Sequence, residues 1–308
     1  LLGRGKLYNS FPQIVFVLLY LGLMGFSFKY SVAGHSFRLV LPESFPSCSW
    51  LSPYEPFRCE DDGRSSLFTL KLESVDSLAD VLKGELVEIF NDEAPYLWVF
   101  REDDRYIFAF SYGRNHPDCI LVASDDYSEA VIYIDKVRYA EFAVSNAAML
   151  LYAFRTLPHD TLLVHASVVK CDGCGYMFLG RSGTGKSTHS RLWLESVEGT
   201  SLLNDDNPVI RIIGGEVHVF GSPWSGKTPC YINEELPLQA VVRLSQAPSN
   251  KVSRLGKLQS YASLMPACSC ARWDRESMDN LHKTVEKVIS KVGCWHLDCL
   301  PDHEAAGL

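Results

Sequence analysis

The sequence lacks a basic run that could form a nucleic-acid-binding surface. Its 308 residues include 29 Lys and Arg against 37 Asp and Glu, which gives a net charge of −8. Since nucleic-acid binding needs clustered positive charge, this balance disfavours nucleic acid as a partner and leaves open a local basic pocket for phosphate. Internal repeats and low-complexity tracts are also absent, and the length allows two globular domains.

The sequence also lacks a second C-x-x-C motif at the spacing of a zinc site, although it contains ten cysteines. Its one such motif joins Cys171 and Cys174 through Asp172-Gly173, a dipeptide that favours tight hairpin turns. Strand-like runs lie on both sides of this dipeptide. We therefore predict a structural turn here in preference to a metal site.

No apolar run is long enough for a confident transmembrane helix, which needs about 20 residues. The nearest candidate is IVFVLLYLGLMGFSF at residues 14–28, preceded by Arg4 and Lys6. It resembles the core of a signal peptide but lacks a clear small-residue cleavage site. Two interpretations stay open: a non-native or buried leader at 1–27, with Met24 as the natural start of a cytoplasmic protein, or a signal or anchor directing a membrane or secreted protein.

Two domains are predicted, divided near residue 140. Short apolar runs separated by Asp, Asn, Gly and Pro predict an antiparallel β-rich domain over residues 28–140. Residues 136–157 have helical periodicity and join this domain to a second one at 141–308. There we predict an α/β domain with a substantial sheet. Its predicted strands are at 161–169, 176–179, 201–203, 209–213, 216–220 and 240–244, its helix is at 187–195, and its tail is mostly helical.

A complete phosphate-binding motif lies in YMFLGRSGTGKSTHSRLW, residues 176–193. The pattern G-x-x-x-x-G-K-[ST] is matched between an apolar strand and a helix, where backbone N–H groups can point at phosphate oxygens. Lys186 is expected to reach the β- and γ-phosphates of ATP, and Ser187 to ligate Mg²⁺, or Mn²⁺ in its place. The predicted nucleotide-binding residues are Gly180, Ser182, Gly183, Thr184, Gly185, Lys186, Ser187 and Thr188.

Three further features point to chemistry beside this loop. In SLLNDDNPVI, Asp205 and Asp206 end an apolar strand, and carboxylates at that place can hold the metal or accept a proton. Adjacent residues of a strand point to opposite faces, so we expect the two to have different roles, which stay unassigned. His165 is predicted inside a strand beside the loop. Lys227, in a second glycine-bearing loop, is a candidate substrate contact.

Together, VHASVV, GRSGTGKST and LLNDD resemble the HPr kinase/phosphorylase and phosphoenolpyruvate carboxykinase superfamily of P-loop proteins. This resemblance covers residues 160–230 and implies a P-loop domain of that fold, which the β-rich domain predicted from the strand pattern precedes. It implies that Lys186 and Ser187 hold nucleotide and metal and that Asp205 and Asp206 share metal binding and base chemistry. It also places His165 in the active site, and we count His165, Lys186 and both aspartates as catalytic.

Three functions are compatible with these residues. The first is an ATP-dependent kinase of the HPr-kinase-like class, which phosphorylates a hydroxyl of an unidentified protein, peptide or small molecule. The second is a carboxykinase-like enzyme for a small carboxylate. The third is an ATP-binding regulatory module without turnover, which the paired aspartates disfavour because binding alone needs one metal-holding carboxylate. An oligomer is compatible with all three.

Overall fold

The computed structural model describes residues 25–43, 45, 49–90, 94–113 and 116–308. Met24 and most of the apolar leader lie outside the described residues. Within them the chain is a mixed α/β protein with two sheets and few helices. None of the described helices is long and apolar enough to cross a membrane.

The first sheet has eight described strands in the order β1-β2-β3-β8-β7-β6-β5-β4. Most neighbours are antiparallel, as predicted, but β3 runs parallel to both β2 and β8. The connection from β2 to β3 contains a 3₁₀-helix, Ser49–Phe57, and is long enough to return the chain in the same direction. The strands are β1 Gly25–Val32, β2 His35–Pro42, β3 Thr69–Ser74, β4 Glu85–Phe90, β5 Tyr96–Glu102, β6 Arg105–Ser111, β7 Cys119–Ser124 and β8 Glu129–Ile134.

The second sheet has nine described strands, of which seven follow the order β12-β10-β11-β15-β14-β13-β9, with β17 beside β15 and β16 beside β17. The predicted helical tail is therefore partly wrong, because β16 and β17 extend the sheet there. The strands are β9 Thr161–Leu163, β10 Ala166–Cys171, β11 Cys174–Leu179, β12 Ser201–Asp206, β13 Val209–Ile213, β14 Glu216–Phe220, β15 Glu235–Gln246, β16 Lys251–Arg254 and β17 Gly293–Cys299.

Five α-helices are described: α1 Ala140–Thr156, α2 Lys186–Ser196, α3 Lys257–Leu264, α4 Arg275–Lys291 and α5 His303–Ala306. Short 3₁₀-helices lie at Leu78–Asp80, Val137–Tyr139, Leu157–His159 and Met265–Ala267. The helical period predicted for residues 136–157 is confirmed by α1. Its apolar face is buried in the same core as the first sheet.

Two local predictions have different outcomes. The Asp172-Gly173 turn is confirmed, since both residues have positive φ, 49° and 74°, and join β10 to β11. The nine described cysteines are free.

The single strand predicted over 161–169 is wrong: it breaks after β9, which pairs with β13, and β10 restarts in another part of the sheet. His165 lies in this break.

One core joins the two sheets. Trp224 and Phe220 of the second sheet region belong to the same buried cluster as α1 and the first sheet. The Tyr152 hydroxyl donates to the Val32 carbonyl at 3.0 Å, and Trp224 Nε1 donates to the Tyr54 hydroxyl at 3.1 Å. The sheets are thereby packed into one body, with the break at His165 facing the junction.

Candidate functional site

The predicted phosphate-binding loop, residues 180–185 and called the phosphate loop below, connects β11 to α2 and is open on its outer side. Gly183 and Gly185 have φ values of 76° and 110°, in the left-handed region that favours glycine. A Cβ at either position would meet no atom within 4 Å. Because α2 begins at Lys186, its unpaired N–H groups lie at the same end as the loop. The backbone and its charge therefore fit a bound polyphosphate.

Contacts within the loop and from β15 hold its shape. The Thr184 hydroxyl donates to the Arg181 carbonyl at 2.7 Å. Gln246 Nε2 donates to the carbonyls of Gly183 and Thr184 at 3.3 and 3.4 Å. Ser182 is exposed on the loop surface. Sequence reasoning missed Gln246, whose only signal was its place at the end of a predicted neighbouring strand.

Lys186, His165 and Asp206 form a connected chain of side chains. Lys186 Nζ lies 2.9 Å from His165 Nε2 and 3.0 Å from the Gly180 carbonyl. His165 Nδ1 lies 3.2 Å from Asp206 Oδ1. Since an ammonium group only donates, Nε2 of His165 accepts, and the ring proton resides on Nδ1 and is donated to Asp206. The structure thus brings together three of the four predicted catalytic residues.

Asp205 contacts a different group from its neighbour. Ser187 Oγ donates to Asp205 Oδ1 at 3.0 Å, and only 4% of Asp205 is exposed. Asp206 is less buried and has a φ of 134°, and its second oxygen accepts from Asn207 Nδ2 at 2.7 Å. Asn207 was missed by sequence reasoning, although it directly follows the acidic pair. One carboxylate therefore faces the start of α2 and the other faces His165.

The second loop, residues 221–228, folds back on β12. The Gly226 N–H and the Ser225 hydroxyl both donate to the Asp205 carbonyl, at 2.5 and 3.1 Å. Asn204 Nδ2 lies 3.3 Å from both the Ser222 hydroxyl and the Trp224 carbonyl. Lys227 is exposed and makes no ion pair with any described residue. This loop positions the aspartates, while Lys227 is not brought into their cluster.

Three cavities border the phosphate loop or the start of α2. One of 440 Å³ is lined by Arg181 and Arg243, and one of 240 Å³ by Ser187 and Asp205. A third, of 370 Å³, is lined by Thr188, His189 and Gln246, among others. Burial lowers the pKa of His189 to about 4, so this side chain is neutral near pH 7. His189 therefore adds no charge near the loop. Positive charge there comes from Arg181 and Arg243 in addition to Lys186.

The donors available for a metal are few. In the described residues no cluster of three or more His, Cys, Asp or Glu side chains could hold an ion. Ser187 and Asp205 form a smaller set, and Mg²⁺ is commonly held by one or two carboxylates with water and phosphate oxygens completing its six ligands. These donors fit Mg²⁺ that binds together with a nucleotide.

No protein-family model matches the chain, and a search of the curated proteins finds no match.

Proposed function

We propose that the chain is an ATP-dependent kinase of the HPr-kinase-like class that transfers the γ-phosphoryl group of ATP to a hydroxyl.

 The observation that supports this kinase proposal best is the presence of two separate pairs near Lys186, in which Ser187 contacts Asp205 and His165 contacts Asp206. Phosphoryl transfer uses one group that holds the metal and another that accepts the proton of the attacking hydroxyl. A module that only binds nucleotide has no use for the second pair.

Each residue has a distinct part in the proposed reaction. Lys186 and the loop N–H groups would hold the phosphates, and Ser187 with Asp205 would hold Mg²⁺. Bound ATP supplies the phosphoryl group and leaves as ADP. The acceptor hydroxyl loses its proton to His165, whose ring is oriented by Asp206, the arrangement by which a carboxylate prepares a histidine base. His165 becomes available when Lys186 turns towards the phosphates.

The first test is phosphotransfer by the full chain. With γ-labelled ATP, Mg²⁺ and a cell lysate, we expect label in a protein or metabolite fraction, and we expect Lys186→Ala to abolish both this transfer and ATP binding measured by calorimetry. Removing the lysine deletes a charge-assisted contact to phosphate. Lys257→Ala is the matched control, because Lys257 is exposed at the start of α3.

Three results would contradict the proposal. Unchanged ATP affinity in Lys186→Ala would refute the phosphate site. Conversion of oxaloacetate to phosphoenolpyruvate and CO₂, without a phosphorylated hydroxyl product, would replace the kinase with a carboxykinase-like enzyme. ATP binding with no labelled product in any fraction would instead indicate a regulatory module.

A further inference from the structure

A cavity of 330 Å³ lies at the junction of the two sheets and has His165 in its wall. Its other walls come from the first sheet, from α1 and from the segment that follows α3. That segment is fixed beside His165, since the His165 N–H donates to the Ala267 carbonyl at 2.7 Å and the Ser269 N–H donates to the Leu163 carbonyl at 3.0 Å. The proposed proton acceptor therefore opens onto a preformed space outside the phosphate loop.

The lining of this cavity is mostly apolar and aromatic. Phe90, Phe154 and Trp273 all border it, and the Trp273 ring lies 6.2 Å from Phe90 and 5.8 Å from Phe154 between centroids. Rings at these separations form an aromatic surface on which another ring can pack edge-to-face or offset. The volume is near the lower end of ordinary ligand pockets, which suits a molecule with one ring.

Among the described residues that line the cavity, Arg272 is the only Lys, Arg, Asp or Glu. It is exposed, and no carboxylate of the described residues pairs with it. Its Nη2 lies 3.4 Å from the carbonyls of Pro266 and Cys268, contacts that leave most of the five guanidinium donors available. A guanidinium group in this position favours a carboxylate on the ligand.

A neighbouring cavity of 360 Å³ has the opposite charge. It shares Pro95, Asn146 and Met149 with the first cavity, but its lining includes the carboxylates of Glu141 and Asp206. An anionic ligand would be repelled there. The cavity that contains Arg272 is therefore the one suited to an anion with an aromatic body.

We propose that the phosphate acceptor is a small aromatic hydroxy acid. Its ring packs against Trp273 and Phe154, its carboxylate pairs with Arg272, and its hydroxyl faces His165. Phosphorylation of that hydroxyl rests on the kinase activity proposed above, whereas binding of the acid to the cavity does not. Binding is therefore the property to measure first.

The test uses the full chain and three probes: phenyllactate, lactate, which lacks the ring, and 2-phenylethanol, which lacks the carboxylate. Affinity is measured by calorimetry, and occupation of the cavity by the change in tryptophan fluorescence that disappears in Trp273→Phe. We expect phenyllactate to bind roughly tenfold or more tightly than either of the other probes, the factor typical of losing one charged or aromatic contact. Trp224→Phe is the control, since Trp224 lines the neighbouring cavity and not this one.

Arg272→Gln removes the charge from an exposed position and should leave the fold intact. We expect it to weaken phenyllactate binding roughly tenfold or more and to leave 2-phenylethanol binding unchanged. Arg275→Gln is the matched control, because Arg275 is exposed nearby and does not line the cavity.

The outcomes separate this inference from the proposed function. Equal affinity for phenyllactate and lactate, no binding of any probe, or no effect of Arg272→Gln would overturn the aromatic hydroxy acid. Label transferred from ATP to a lysate protein without competition by phenyllactate would also overturn it, in favour of a protein acceptor. Tight phenyllactate binding with no phosphotransfer to any acceptor would support the cavity assignment and contradict the kinase.

Discussion

At the scale of single residues, two adjacent carboxylates have different surroundings. Asp205 and Asp206 end the same strand, β12, opposite Ser167 and Ala166 of β10. Successive side chains of a strand point to opposite faces, so only one of them can meet Ser187 at the start of α2. The positive φ of Asp206, 134°, turns the chain at this point and is accompanied by its contacts with His165 and Asn207.

We therefore expect the two Asn substitutions to separate metal binding from proton transfer. Asp205→Asn should lose most of the Mg²⁺-dependent part of ATP affinity in calorimetry. Asp206→Asn should keep that affinity but leave His165 without the carboxylate that orients its ring. We expect phosphotransfer to fall by about 10²- to 10⁴-fold, the usual contribution of general base catalysis. Loss of Mg²⁺-dependent affinity in Asp206→Asn, together with normal affinity in Asp205→Asn, would reverse the two roles.

At the scale of elements, hydrogen bonds from the loop at 221–228 hold the end of β12 in place. Ser222 Oγ donates to the Asn207 carbonyl at 2.6 Å, and the Gly226 N–H donates to the Asp205 carbonyl at 2.5 Å. The loop begins at Gly221, where a Cβ would lie 1.9 Å from the Ile232 carbonyl oxygen. A larger residue at this position must displace one backbone segment relative to the other.

Gly221→Ala should consequently weaken both the fold and the site. We expect a loss of about 1–3 kcal/mol in the free energy of unfolding, measured with urea, because overpacking against backbone is not relieved by a rotamer change. Phosphotransfer should fall as well, since the loop anchors Asp205. The control is Gly113→Ala, where the added Cβ meets no atom within 4 Å. Equal stability of the two variants would show that the loop adapts without cost.

At the scale of the whole molecule, the junction of the two sheets contains a buried histidine. His35 of β2 is 7% exposed, and its Nε2 lies 2.9 Å from the hydroxyl of Thr161 in β9. Arg211 reaches the same junction, where its Nη1 donates to the Ala33 carbonyl at 2.5 Å. Burial, with the charge of Arg211 as a smaller cause, lowers the pKa of His35 to about 3.

This lowered pKa predicts a loss of stability in mild acid. The unfolded chain binds a proton at His35 below its ordinary pKa of about 6.5, whereas the folded chain does so only near 3, so stability falls as the pH drops below about 6.5. Between pH 7 and pH 5 this histidine should lower the free energy of unfolding by about 2 kcal/mol. His35→Gln keeps a donor for Thr161 and should show a correspondingly smaller loss in urea unfolding. The same loss in both proteins would contradict the prediction.

Much of the second domain could be predicted from the sequence because its signals are local. The turn at Asp172-Gly173 needs only its two residues, and the helix after Lys186 follows from the phosphate-loop pattern. The break at His165 could not be predicted, since Leu162 to Val169 are apolar apart from His165 and Ser167 and resemble one continuous strand. β9 pairs with β13, whereas β10 pairs with β12, and both partners lie about 40 residues further along the chain. These different partners separate β9 from β10.

In the candidate site, too, some features follow from local sequence and others depend on the tertiary structure. Sequence by itself determined the phosphate loop, its lysine and serine, and the acidic pair, because local spacing specifies where backbone N–H groups and strand ends lie. Only the tertiary structure decided that Asp205 faces Ser187, that Asp206 faces His165, and that Phe90 and Trp273 close a cavity beside them. The first two contacts join separate segments around the second sheet, and the third brings the first sheet to the segment after α3. Pairings over such separations depend on the packing of the whole core.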